Sequence, residues 1–210
     1  MKKFMLLLMA LCLTLGASAA ELTKQQQKQI NKETKAKLKE YKKEGWKIFG
    51  SSSTLEGALN RHYTSLISMA EDGHEVVGVA SNFKSKNIGH QQAVNNACVN
   101  YSNEAGSTLK GRGVSDMAAN GSDESAAEEF DHFYAAYERL VEKEIKNEMS
   151  ESFSIIRDMG NGVFEMQTFF IVNESAASKA RVRAMENALK ESEAAQRHAS
   201  SISDFVRKGF

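Results

Sequence analysis

A stretch of apolar residues late in the chain, 152–172, constrains the fold more than any other. Asn161-Gly162 divides it in two, and both residues tolerate the positive φ angles of a type I′ turn, so a β-hairpin is predicted. A two-residue loop there gives these cross-strand pairs: Met159 with Phe164, Ile155 with Thr168, and Phe153 with Phe170. This register collects one apolar face: Phe153, Ile155, Met159, Phe164, Met166, Phe170 and Val172. We expect the hairpin to be the folding centre.

The residues before the hairpin predict two helices and two strands. The charged segment 21–44 opens with the capping box Thr23-x-x-Gln26, which favours a helix, with a disordered tail as the alternative. Residues 46–49 follow as a short strand or an anchor. A second capping box, Ser53-x-x-Glu56, starts an amphipathic helix. The segment 74–83 is a predicted strand with three apolar residues on one side: Val77, Val79 and Phe83.

Three further helices are predicted, one of them close to the sheet. Small apolar residues from Gln91 to Leu109 let a helix approach the apolar face of the hairpin. Residues 111–125 form a predicted polar loop, and Ser125-x-x-Glu128 caps the next helix. After the hairpin, Asn173 caps an alanine-striped helix that runs to about residue 206. We expect this last helix to cover the second face of the hairpin.

Together these elements predict an α+β fold: a small antiparallel sheet of three to four strands with helices packed on it, plus long N- and C-terminal helices. The predicted boundaries are a leader (1–20), a helical or partly disordered lead-in (21–44), an α+β core domain (45–173) and a long C-terminal helix (174–210). About 190 residues beyond the leader are enough to bury one core.

The first 20 residues have the pattern of a signal peptide. Lys2 and Lys3 precede the apolar run 4–16, and the small residues 17–20 offer cleavage after Ala19 or Ala20. The run is too short for a membrane-spanning helix, which needs about 20 residues. Leu11 before Cys12 does not suit lipidation. The sequence therefore predicts an exported protein, periplasmic or extracellular, without a lipid anchor.

Charge and cysteine content limit how the chain can bind partners and how its fold is stabilised. The chain has 27 basic and 27 acidic residues, and loss of the leader with Lys2 and Lys3 leaves a small acidic excess. A nearly neutral chain argues against a general electrostatic mode of binding nucleic acid or anionic membranes. Cys98 is the remaining cysteine after the leader, so no internal disulfide supports the fold.

The order of elements and three short motifs resemble a known family. The motifs are Gly45-Trp46, the helix with Ala93-x-x-x-Ala97, and the late hairpin around Gly160-Asn-Gly162. Over about residues 45–172 the chain resembles the Lpp-twenty (LPP20-like) envelope lipoproteins and their exported relatives. The resemblance implies a compact α+β domain with helices on one face of an antiparallel sheet, in an envelope or secreted protein without catalytic residues. The residue before Cys12 departs from the lipoprotein pattern.

No motif in the chain predicts a reaction centre. The histidines at 62, 74, 90, 132 and 198 lack metal-ligand spacing, and we interpret His62 as a boundary residue whose ring reaches water. Cys98 is interpreted as a buried small hydrophobe. Gly111-Arg-Gly113 lacks the Lys-Ser/Thr of a phosphate loop and is interpreted as a helix stop. The sequence thus predicts no catalytic, cofactor-binding or metal-binding residues and no cofactor.

The prediction for function is an exported bacterial envelope protein that acts by binding, as a structural or adaptor component, and not as an enzyme. The expected contact surfaces are the C-terminal helix, through a protein partner or self-association, and the loop 111–125. The alternatives are a small-ligand carrier, if an apolar cavity opens between sheet and helices, and an enzyme of unrecognised type, if a pocket collects titratable groups. No nucleic acid and no transmembrane segment in the mature chain are expected.

Overall fold

The computed structural model describes residues 22–120 and 124–191, with backbone alone for 112–120, 124–130 and 191. The elements in chain order are α1 Lys24–Lys43, β1 Lys47–Phe49, α2 Leu55–Met69, β2 Gly73–Phe83, α3 Lys86–Asn120, α4 Glu124–Ile145, β3 Met149–Gly160, β4 Val163–Asn173 and α5 Glu174–Ala188. The strands form one antiparallel sheet in the order β1-β3-β4-β2. The predicted α+β class is confirmed.

The predicted hairpin is present, with its turn where the sequence placed it. Asn161 and Gly162 have φ angles of 56° and 70°, as a type I′ turn requires. The predicted register is wrong beyond the turn, because a bulge at Met159 pairs Asp158 with Phe164. The pairs that follow are Ile155 with Gln167, Ser154 with Thr168, and Phe153 with Phe169.

The changed register divides the apolar residues of the hairpin between both faces of the sheet. Ile156, Met166, Phe170 and Val172 lie on the face that α3 covers. On the other face Phe153, Ile155 and Phe169 pack against α1, Trp46 and α2. Met159 is 56% exposed. The prediction of one shared apolar face is therefore wrong.

The helices form layers on both sides of the sheet. The small residues of α3 let it lie on β4 of the hairpin, as predicted, and also directly on β2, and α4 and α5 pack behind it. The approach is closest at Gly78, where an added Cβ would lie 1.8 Å from the carbonyl oxygen of Ala93. The opposite face is covered by α1 and α2, not by the C-terminal helix. The arrangement also differs from the one-sided packing that the family resemblance implied.

Three local predictions are corrected by the structure. Residues 111–120 continue α3 and residues 124–125 belong to α4, so these parts of the predicted loop 111–125 are helical; residues 121–123 lie outside the described residues. Thr54 caps α2 in place of Ser53, because its Oγ accepts from the Gly57 amide at 3.1 Å. In β2 the buried side carries Val76, Ala80 and Phe83, since a bulge at Asn82 shifts the alternation, and Val79 is 39% exposed.

The two terminal helices pack against the rest of the fold. Helix α1 buries Ile30 and Tyr41 against α2, so this part of the lead-in is helical. Asn173 caps α5, and the alanines at 177, 184 and 188 are buried against α4 and α3. A short 3-10 turn, Leu189–Glu191, follows α5. Predicted helix beyond Glu191 and the leader 1–20 lie outside the described residues.

None of the helices in the described part of the chain is both long enough and apolar enough to cross a membrane.

Candidate functional site

The feature that most resembles a site is the buried imidazole of His62. Sequence analysis placed His62 at a boundary, but the residue is 1% exposed. Its Nδ1 lies 2.9 Å from Ser152 Oγ and its Nε2 lies 2.6 Å from Glu75 Oε2. Both ring nitrogens are therefore satisfied, as a buried polar group requires. The prediction that this ring reaches water is wrong, because His62 follows Leu55, Ala58 and Leu59 on the buried side of α2.

A pocket of about 220 Å³ opens beside this histidine, between the α1–α2 layer and the sheet. We call it the His62 pocket. It is lined by Lys37, Tyr41, Leu59, His62, Tyr63, Glu75, Val77, Phe153, Gln167 and Phe169. These residues come from α1, α2, β2, β3 and β4, so sequence spacing alone gave no sign of them. The pocket combines aromatic walls with one carboxylate, one amine and one amide.

The aromatic walls are held by ring contacts that surround the imidazole. Phe153 and Phe169 are stacked with ring centroids 4.4 Å apart and an interplanar angle of 6°. The edges of these rings and of Tyr63 meet His62 in tilted or T-shaped pairs, with centroids between 5.3 and 6.1 Å apart. Such pairs add to packing beyond simple burial. These ring contacts pack the pocket walls around the imidazole.

Electrostatics in the pocket favour positive charge. Burial, and after it the neighbouring Glu75, Glu33 and Glu40, raises the pKa of Tyr63 to about 12. Burial also raises the pKa of Tyr41, with further contributions from Tyr63 and from Glu75, Glu40 and Glu44. Apart from burial, the groups that raise the pKa of Tyr63 are all carboxylates. These carboxylates make a further negative charge in the pocket unfavourable. The same field attracts a cation.

Two side chains in the pocket keep hydrogen-bonding capacity for a ligand. Tyr41 is 6% exposed, and its hydroxyl bonds to none of the described residues. The Glu75 side chain is 39% exposed, so its carboxylate faces both His62 and the open pocket. Lys37 lies over the Tyr41 ring, with Nζ 5.6 Å from the centroid, and pairs with Glu40 at 3.1 Å. An amine thus already occupies one edge of the aromatic wall.

A second polar cluster lies on the α3 face of the sheet. His90 Nε2 is 3.0 Å from Glu151 Oε2, and Ser154 Oγ donates to Glu151 Oε1 at 2.7 Å. Ser154 also bonds to Thr168 at 3.0 Å. The groups satisfy one another and join α3 to the hairpin. We interpret this cluster as structural.

A third cluster surrounds a buried guanidinium on α5. Arg181, 1% exposed, donates to the Tyr101 hydroxyl and to Glu174, and the ring of His74 stacks on Tyr101 at 5.8 Å. Burial, partly opposed by Glu174, lowers the pKa of His74. Sequence analysis missed Arg181, because it lies in the middle of the alanine stripe where an uncharged residue was expected.

The remaining residues considered from sequence do not assemble into a site. Cys98 is buried near Met149, with its thiol pKa raised by burial, which confirms its interpretation as a small hydrophobe. His132 is exposed on α4, and His198 lies outside the described residues. Gly111 continues α3, so its interpretation as a helix stop is wrong. Among the described residues, no group of three or more His, Cys, Asp or Glu side chains is placed to hold a metal ion.

Comparison with protein-family models, with curated proteins and with solved structures found no match for the chain. The function of the protein is therefore inferred from the geometry of the site.

Proposed function

We propose that the protein is an exported envelope protein that acts by binding, and that the His62 pocket takes a small cationic amine on a short apolar stem. The amine is the head of a free small molecule, as for a carrier, or the tip of a partner's side chain, as for an adaptor. The chemistry of recognition is the same in both cases. The first case corresponds to a small-ligand carrier and the second to an adaptor component.

The observation that carries the proposal is the convergence of the Glu75 carboxylate with the aromatic rings of the pocket, one of which, Tyr41, already has the Lys37 amine over it. A carboxylate that is held by His62 and half open to the pocket supplies the counter-charge. The rings of Tyr41, Tyr63 and Phe169 supply faces and edges for an apolar stem and for cation–π contact. The Tyr41 hydroxyl, at the pocket lining, supplies a hydrogen bond.

The size of the pocket limits the ligand. A volume of about 220 Å³ equals that of roughly seven water molecules at about 30 Å³ each. Pockets for drug-sized ligands are larger, about 300–1,000 Å³. We therefore expect a ligand of lysine side-chain size and not a cofactor or a lipid.

Titration with pentylamine tests the proposal, with pentanol as the uncharged probe of the same stem. We expect saturable shifts of the Tyr41 and Tyr63 ring signals in NMR spectra with the amine, and much weaker ones with the alcohol. The variant Glu75→Gln keeps an acceptor for His62 but loses the charge, so it weakens amine binding by at least about tenfold. A lysine derivative blocked at both ends then shows whether a partner's side chain fits.

The matched control is Glu71→Gln, which removes an exposed carboxylate just before β2 and outside the pocket. It is expected to bind pentylamine like the unaltered protein. Equal binding of amine and alcohol, or equal affinity in Glu75→Gln, contradicts the proposal.

A second candidate function is acyl transfer, because Ser152, His62 and Glu75 form a continuous hydrogen-bonded chain. The placement of the groups disfavours it. Glu75 lines the pocket and Ser152 does not, whereas a nucleophilic serine must face its substrate. The variant Ser152→Ala distinguishes the two functions. If the unaltered protein hydrolyses esters and the variant does not, acyl transfer is supported. If the variant binds pentylamine as the unaltered protein does, the binding site is supported.

Export is part of the proposal and has its own measurement. N-terminal sequencing of protein recovered from producing bacteria should begin at Ala20 or Glu21, because the small residues 17–20 suit cleavage after Ala19 or Ala20. A mature protein that still starts at Met1 and remains in the cytoplasm contradicts it.

A further inference from the structure

Helix α1 carries all of its basic residues except Lys37 on one side. The lysines concerned are Lys24, Lys28, Lys32, Lys35, Lys39, Lys42 and Lys43, and all are exposed. Each residue of an α-helix is rotated by about 100° from the one before it. On this basis the lysines fall within an arc of about 100° around the helix axis and extend along about 28 Å of helix. We call this surface the lysine stripe.

The lysine stripe is not neutralised by the rest of the described chain. The acidic residues of α1, Glu33 and Glu40, lie at least about 60° outside the arc. Of the lysines on α1, Lys37 is the one that pairs with a described carboxylate, and it lies outside the stripe. The charge of the stripe is therefore available to a partner.

The rest of α1 holds the stripe in a fixed orientation. Ile30, Thr34 and Tyr41 are buried on the opposite side of the helix, against α2. The capping box at Thr23 fixes the first turn, because Gln26 and Thr23 bond each other's backbone amides at 2.9 and 3.2 Å. The stripe is thus a straight basic surface on the outermost helix of one layer.

We propose that the lysine stripe docks the protein on the surface of a bilayer that contains anionic phospholipids. Lysine is a strongly hydrated point charge that interacts with a diffuse negative surface without a fixed geometry. A row of such charges along one straight helix complements a flat, laterally mobile layer of phosphate groups. The docking is peripheral and depends on charge.

The composition of the stripe favours a bilayer over nucleic acid. The stripe contains no arginine, the residue suited to bidentate phosphate and base contacts. It also contains no aromatic ring on which a base would stack. The proposal is independent of the His62 pocket, since the pocket residues Lys37 and Tyr41 lie on other sides of α1.

The test is vesicle flotation with the full-length chain, using phosphatidylcholine vesicles with and without phosphatidylglycerol. The readout is the ratio of the two partition coefficients, in which an apolar contribution of residues 4–16 cancels. The charges of Lys2 and Lys3 are common to all variants, so they cancel when the ratios of the variants are compared. We expect a ratio well above unity at about 0.1 M salt that falls toward unity at about 1 M, because the Debye length shortens from about 10 to about 3 Å.

The informative variant is Lys28→Gln/Lys32→Gln/Lys35→Gln/Lys39→Gln, since glutamine retains helix propensity. Its ratio should fall by about 100-fold or more. The matched control, Lys84→Gln/Lys143→Gln/Lys146→Gln/Lys179→Gln, makes the same change in net charge at exposed positions elsewhere and should keep most of the ratio. Circular dichroism of both variants checks that the fold is retained.

Three results would overturn the proposal. One is a ratio near unity for the unaltered protein. Another is an equal loss in the stripe variant and the scattered control, which would mean that net charge alone acts. The third is tighter binding to duplex DNA than to the anionic vesicles at equal phosphate concentration, which would assign the stripe to nucleic acid.

Discussion

At the scale of single residues, the polar groups inside this protein are held by specific partners. His62 bonds through both ring nitrogens, and Arg181 bonds to Tyr101 and Glu174. Burial of an isolated charge is very costly, so each group is stable inside only because its partners come with it. These contacts join residues far apart in the chain, from α2 to β2 and from α3 to α5.

Arg181 and Arg183 on α5 allow a test, within one helix, of how much a buried charge depends on its partners. Arg181→Met should lower the free energy of unfolding by about 3 kcal/mol, because it leaves the partners of a buried ion pair unsatisfied. Arg183 is 44% exposed and pairs with Glu144 and Glu148 at 2.7 and 2.9 Å, so Arg183→Met should cost less than about 1 kcal/mol. Urea denaturation measures both, and equal losses would show that the Arg181 contacts add nothing.

At the scale of elements, the position of α3 against the sheet depends on residues with small side chains. The stripe of Ala93 and Ala97 meets Gly78 in β2, and no side chain separates the helix backbone from the strand. The helix is longer than predicted because Gly111 is compatible with a helix, and the chain has no proline to end it.

Two glycine substitutions compare close contact with open space. In Gly78→Ala the new Cβ meets backbone atoms of Ala93 and Ala97, so we expect a loss of about 1–3 kcal/mol in unfolding free energy. Gly111→Ala places its Cβ where, apart from its own helix turn, no atom of the described residues lies within 4 Å, and should gain about 0.5–1 kcal/mol through helix propensity. Thermal unfolding by circular dichroism measures both. A Gly78→Ala protein of unaltered stability would show that α3 does not lie on β2.

At the scale of the whole molecule, the sheet is central and helices cover both of its faces. One side holds α1, α2 and the His62 pocket, and the other holds α3 with α4 and α5 behind it. The alanine stripe of α5 is used within the core, so in the described part it is not open to a partner. Self-association through residues 192–210 stays a prediction.

Truncation separates these two roles of the C-terminal segment. A chain that ends after Ala184 loses Met185 and Ala188 from the core, and its unfolding free energy should fall by about 2–4 kcal/mol. A chain that ends after Glu191 retains every described core residue and should unfold like the full chain. Light scattering reports the mass: if residues 192–210 mediate self-association, the full chain is an oligomer and the chain ending at Glu191 is a monomer. Equal masses contradict that role.

Prediction of the candidate site from sequence failed for a physical reason. Motifs describe neighbours along the chain, whereas Glu75 and Tyr41 meet His62 only after β2 and α1 have packed against α2. One local signal was present: His62 follows Leu59 by three residues in α2, a spacing that places both on the same, buried side of the helix. The lysine stripe was not predicted for a different reason. The net charge sums basic and acidic residues over the whole chain, so it does not show that α1 gathers its lysines on one side.

The sequence by itself determined the α+β class, the Asn161-Gly162 turn, the Thr23 and Asn173 caps and the helix that lies on the hairpin. These depend on local backbone preferences and on periodic burial, which act within one element or between neighbours in the chain. Only the tertiary structure decided the register of the hairpin, the division of its apolar residues between two faces and the His62 pocket. One bulge at Met159 shifts the pairing of residues 153–158 with β4 by one residue, which reverses the side that they face relative to their predicted partners.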